Sequence, residues 1–150
     1  LPNRDNIDYL IWCQERLGNR LMGVEFRNNA WLRGAREAET MRLLQDRGMC
    51  FVCVDEPQGF RWSAPPIARA TGRIAYVRFH GRNASKWNAK GISASERFDH
   101  FYSQEDLWEW MPRIRQLQSQ TEQVNVLFNT CKEDQGPVNA RLLADVLSGG

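Results

Sequence analysis

Tyr76-Val77-Arg78-Phe79-His80-Gly81-Arg82-Asn83 is the stretch from which the rest of the chain can be read. Side chains alternate along a strand, so Ile74, Tyr76, Arg78 and His80 share one face, and Ala75, Val77 and Phe79 share the other. One face is apolar. The other carries a phenol, a guanidinium and an imidazole. Gly81 breaks the strand and lets the backbone turn into Arg82 and Asn83.

Three further strands frame this one. Leu21 to Arg27 alternates, with Met22, Val24 and Phe26 opposite Gly23, Glu25 and Arg27. Met49 to Asp55 is an apolar run stopped by Pro57, which cannot continue a ladder. Val124 to Asn129 is the last. The strands are thus expected near residues 21–27, 49–55, 74–80 and 124–129 of a single α/β region over residues 1–150.

Helical spacing fills the intervals. Ile7, Leu10, Ile11 and Leu17 mark a first helix, capped by Asp5 or Asn6 and ended by Gly18. A second runs from Ala35 to Arg47 and stops at Gly48. Residues 58–72 read as irregular, and residues 82–102 as a long polar loop carrying Trp87, which either covers a ligand or fills exposed surface. Ser103 and Asp106 cap a helix that Pro112 should kink or split, with Trp108 and Trp110 in the core and Arg113 and Arg115 on a solvated face. Gly136-Pro137 opens the last helix and Gly149-Gly150 closes it. Strands alternating with helices in this way predict parallel strands joined by crossovers.

Polar residues cluster at the strand ends: Glu25 and Arg27, Asp55, Arg78 and His80, Asn125 and Asn129. The expected opposite faces are apolar, with Val24, Phe26, Val52, Val54, Val77, Phe79, Val126 and Phe128. A parallel sheet normally buries both faces. A polar face at the carboxyl ends fits the mouth of a barrel, where catalytic side chains of such folds sit. The competing reading is an open sheet with one wetted face.

Composition narrows the classes. Apolar residues at 42% and charged residues at 25% describe an ordinary globular chain, and a net charge of +2 argues against nucleic acid as a partner. No apolar run is long enough to span a membrane. The chain begins without an initiator Met or a signal-peptide pattern, as a fragment or processed chain would. Cys50 and Cys53 form C-x-x-C inside a strand, where residues three apart face opposite ways. They are therefore expected as buried free thiols, and with Cys13 and Cys131 they fit a reducing cytoplasm. The sequence names no cofactor: no Gly-rich nucleotide motif and no serine nucleophile elbow is present. His80 and His100 are the chain's two histidines. Without a His-x-His spacing they argue against a metal built on His80, Asp55 and Glu25.

The chain resembles the YecE-like proteins, the domain of unknown function 72 family. The likeness rests on Val24-Glu25-Phe26-Arg27, Val54 to Gly59, Tyr76 to Asn83, Arg97-Phe98-Asp99 with Tyr102-Ser103, Trp110 to Ile114, and Asn139-Ala140-Arg141. It departs at Thr130-Cys131-Lys132, where the family usually continues Asn-His-Tyr, and at His100, where an aromatic residue is usual. The resemblance implies an α/β fold of the TIM-barrel type, with this chain as the second half, four βα units, of a (β/α)8 barrel. Four strands cannot close a barrel, so pairing with a missing half or with a second copy is expected, unless the sheet stays open.

Within that frame, Glu25, Asp55 and His80 are the candidate acid–base residues. Arg27, Arg78, Arg82, Asn83 and Asn129 are the candidate substrate-binding residues, suited to the phosphate or carboxylate of a small anionic ligand. The alternatives are buried ion pairs of Arg27 and Arg78 with Glu25 and Asp55, a satisfied buried His80, and a non-catalytic binding or structural protein, with nucleic acid at its Arg-rich mouth as one form of it.

Overall fold

The computed structural model describes residues 1–149; Gly150, expected to close the chain, lies outside the described residues. Its elements run α1 (Arg4–Leu17), β1 (Gly23–Val24), a 3-10 turn (Asn29–Trp31), α2 (Ala35–Asp46), β2 (Cys50–Asp55), β3 (Ile74–Phe79), α3 (Ala94–Arg97), α4 (Gln104–Trp108), α5 (Met111–Gln120), β4 (Gln123–Phe128) and α6 (Gln135–Ser148). The strands form a parallel sheet in the order β1-β2-β3-β4. Each hydrogen-bonds to its neighbour in sequence, so every connection is a crossover between adjacent parallel strands. Helices carry the first and third crossovers; residues 56–73 between β2 and β3 contain no helix or strand.

Register sorts the side chains into two faces. Parallel partners point the same way, and Val54 pairs with Arg78 and Leu127 while Asp55 pairs with Phe79 and Phe128. The face bearing Phe51, Cys53, Asp55, Val77 and Phe79 is buried. There Phe79 stacks on Phe128 at 4.8 Å and meets Tyr102 and Trp110 edge-on at 5.0 and 5.4 Å between centroids. On the other face Tyr76 and Arg78 are half-buried and Leu127 is exposed.

Several expectations hold in detail. Pro112 sits in the first turn of α5, where its missing N–H costs nothing, and the expected kink is a full break between α4 and α5. Ser103 and Asp106 make a reciprocal capping box at α4. Cys50 and Cys53 are buried free thiols, and burial raises the Cys53 pKa to about 11.

Others are corrected. The first strand pairs over Gly23–Val24 only, because β1 has a sheet neighbour on one side and Glu25 to Arg27 run past the ladder. Asn3, not Asp5 or Asn6, caps α1, its side chain accepting from the Asn6 N–H at 2.9 Å. Trp108 is 52% exposed while Trp110 is fully buried. Trp108 ends α4 and Trp110 caps α5 across the break, so different helices place the two rings and only Trp110 reaches the core. Val52 and Val54 lie on the face of Tyr76 and Arg78, and Asp55 lies with Phe79, so that pair of assignments is reversed. Residues 82–102, expected as a long polar loop, contain α3 and are pinned: Arg97 donates to the carbonyls of Trp87 and Ala89, and Asn83 Nδ2 to that of Asp99.

Candidate functional site

At the carboxyl ends of the strands Glu25 is the hub of one cluster. Its Oε1 accepts from Arg27 Nη1 at 2.9 Å and His80 Nε2 at 3.0 Å; its Oε2 accepts from Arg78 Nη1 at 2.5 Å. Asn129, one residue past β4, accepts from Arg78 Nη2 at 3.3 Å through Oδ1 and lies 3.2 Å from His80 Nδ1 through Nδ2. Four segments thus meet: those after β1, β3 and β4, and β3 itself.

Donor–acceptor accounting assigns the imidazole proton. Arg78 has only N–H groups, so it needs the Asn129 carbonyl oxygen, which turns the amide N–H toward His80. His80 Nδ1 is then an acceptor and Nε2 carries the proton, donating it to Glu25. Arg27 Nη1 lies 2.9 Å from Nε2, a contact of two donors that share Glu25 Oε1. Burial works against the Glu25 charge, but the hydrogen bonds from His80, Arg27 and Arg78 outweigh it and bring the pKa down to about 2.

Glu56, which sequence reasoning passed over, completes this cluster. It lies in phase with Val54 beyond β2, on the face of Arg78. Its Oε1 accepts from the Ala64 N–H at 2.6 Å, and its Oε2 stands 3.6 Å from Arg27 Nη1. Only the register of β2 against β3 puts Glu56 on this face, and β2's own sequence carries no sign of that register. Trp87 walls the site: its ring lies 6.5 Å from His80 and carries the Arg27 guanidinium at 5.5 Å. Beside Glu25 and Arg27 opens a recess of about 360 Å³, lined also by Tyr9, Leu10 and Trp31.

Asp55 and Arg82 do not join this cluster. On the helix side of the sheet Asp55 Oδ1 accepts from Trp110 Nε1 at 2.9 Å and Arg82 Nη2 at 3.0 Å, and Oδ2 accepts from Tyr102 at 2.7 Å and Arg82 Nε at 2.9 Å. Arg82 continues to Asp106 and Glu109 at 2.8 and 2.9 Å. Burial, with Asp55 alongside, raises the Tyr102 pKa. Asn83 stands apart from both clusters as a brace, holding the Asp99 carbonyl and accepting from Ser85 and Lys86. His100 packs edge-on against Tyr102 at 4.6 Å and so does the packing work of an aromatic ring. No group of three or more metal-ligating side chains converges among the described residues. No described helix is long and apolar enough to cross a membrane.

Residues 1–149 match the family described as protein of unknown function DUF72. The UPF0759 protein YunF of Bacillus subtilis is 32% identical over 148 residues, which are 96% of this chain and 52% of that protein. A DUF72 family protein from Thermotoga maritima superposes with a TM-score of 0.86 at 34% identity, over 97% of this chain and 53% of that one. One from Enterococcus faecalis superposes with a TM-score of 0.90 at 23% identity, over 97% and 54%. The chain therefore spans about half the length of the relatives it matches. By the extent of the family match and the identity to these relatives, it is a member of the DUF72 family.

Proposed function

We propose that this chain is the second half of a TIM-barrel-like (β/α)8 fold, and that its strand ends line a mouth binding a small molecule with a phosphate or carboxylate group, on which it acts by acid–base chemistry. The observation that carries the reading is the pair of guanidiniums around Glu25. Arg27 and Arg78 remain 50% and 35% exposed although both hold the same carboxylate. The guanidinium surface that Glu25 leaves open is donor surface for a ligand. The adjoining recess of about 360 Å³ suits a small molecule. In this reading Arg27 and Arg78 bind the anion, and Asn129 and His80 hold Arg78 and Glu25 in place.

The parallel edges of β1 and β4 are the seams where the rest of the barrel, or a second copy of this chain, would join. Sedimentation of the full chain tests this: a dimer or larger species supports the seam, and a monomer leaves the sheet open. The site itself is tested by screening phosphorylated and carboxylated small molecules for thermal stabilisation of the full chain, then repeating with Arg78→Ala. Stabilisation lost in a variant that keeps its fold supports the reading. A variant that unfolds without any ligand effect in the parent favours a structural network.

A further inference from the structure

Three carboxylates stand at the ends of β1 and β2, and their oxygens are occupied very differently. Asp55 accepts four hydrogen bonds, two on each oxygen. Glu25 accepts from three donors, two of them guanidiniums. Glu56 accepts one, from the Ala64 N–H onto Oε1. Its Oε2 accepts no hydrogen bond among the described residues and faces Arg27 Nη1 at 3.6 Å, beyond hydrogen-bond length. Yet the Glu56 side chain is only 3% exposed. A carboxylate in a side chain this buried, with a single hydrogen-bond donor, is costly as an anion and tolerable as the neutral acid. The backbone amide on Oε1 leaves Oε2 as the oxygen to carry the proton.

We propose that Glu56 is the proton-bearing carboxyl of the mouth: neutral, it leaves Arg27 free to hold the anionic group of the ligand and can hand that group a proton from Oε2; ionised, it takes Arg27 for itself. The inference rests on the anion-binding reading above. In the transfer the Glu56 O–H bond breaks and an O–H bond forms on the ligand oxygen. The carboxylate left behind is held by the Ala64 N–H and the Arg27 guanidinium, and water restores its proton. The charge count favours the same order of events. With Glu56 neutral the cluster of Arg27, Arg78 and Glu25 carries one positive charge; ionising Glu56 cancels it. Burial raises the Glu56 pKa; the Ala64 amide, Arg27 and His80 work against that, and Glu25 adds to it. Neighbouring Glu25 moves the opposite way, and two carboxyls pushed apart by their surroundings can take separate roles.

The test is sulfate binding to the full chain across a pH series at constant ionic strength, with sulfate chosen because its charge does not change over the range. The charged and titratable groups facing Glu56 are Arg27, Glu25 and His80. In the parent chain sulfate affinity should fall about tenfold as the pH rises through the Glu56 ionisation, the change expected for roughly 1.4 kcal/mol of charge interaction. Glu56→Gln, an isostere of the neutral carboxyl, should keep the tight plateau and lose that fall. The difference between the two profiles reports the Glu56 carboxyl. Identical profiles overturn this inference and leave the anion site standing. No sulfate binding at any pH overturns the anion site and this inference with it. Should Glu56→Gln fail to fold, the Glu56 carboxyl carbon is followed by NMR in the parent. A midpoint above the ordinary glutamate range supports the proposal, and one at or below it overturns it.

Discussion

The two sides of the sheet carry the same kit, a carboxylate, an arginine pair or fork, and a ring, and put it to different ends. On the helix side Asp55 is surrounded by Arg82, Tyr102 and Trp110, and both of its oxygens are saturated. On the mouth side Glu25 is held by Arg27, Arg78 and His80, but its guanidiniums keep a large share of their surface open. Buried polar groups must find partners wherever they lie. A filled network therefore says little about chemistry; open donor surface at its rim says more. Asp55, a candidate acid–base residue on sequence grounds, reads in the structure as the pin that fastens α4 and α5 to the sheet.

The largest test of the contrast is Asp55→Ala. It leaves Arg82, the Trp110 N–H and the Tyr102 hydroxyl without their shared acceptor under the helices, which should cost about 3–5 kcal/mol, measured by urea denaturation. A loss below that of the Glu25 variant would reverse the assignment of the two networks.

Glu25 gives a smaller effect with a definite pH signature. Its pKa lies below the ordinary 4.5, at about 2. Its ionic contribution is therefore present in full above pH 4.5 and lost as the pH falls toward 2. Half-exposed Arg27 weakens the pair, so about 2 kcal/mol is expected. Denaturation midpoints across that window should slope in the parent and flatten in Glu25→Gln; an unchanged slope would remove the ion cluster as its source.

Asn83→Ala sits at the small end. The loop it braces is also held by Arg97, so the loss should be about 0.5–1 kcal/mol, read as a small fall in Tm. Sulfate binding should not move, because Asn83 touches neither cluster. A large change in binding would bring this loop into the mouth.

How much of this was legible beforehand follows from the physics of each signal. The break at Pro112, the Ser103 cap and the buried cysteines rest on local chemistry, and all three stand in the structure. The grouping of Arg27, Arg78, His80 and Asn129 followed from alternation within single strands, and it too is found. Asp55 was placed in the mouth and Glu56 passed over because β2 is apolar on both faces, so its own alternation carries no sign of which side looks outward. Pairing with β3 decides that, and pairing is not written in either strand alone. Trp110 differs from Trp108 for the same kind of reason: both are large and apolar, and only the break between α4 and α5 decides which one turns inward.

Asp55 and Glu56 are consecutive, yet one belongs to the helix layer and the other to the mouth. Behind them the His80 N–H donates to the Asp55 carbonyl at 2.8 Å, and the Gly81 N–H donates to the Tyr102 hydroxyl at 2.8 Å. Gly81 holds φ 87°, and an added Cβ there would sit 3.0 Å from that of His100. The Glu25 cluster is thereby bolted to the interior through its main chain, so the backbone itself fixes where its carboxyl and imidazole point.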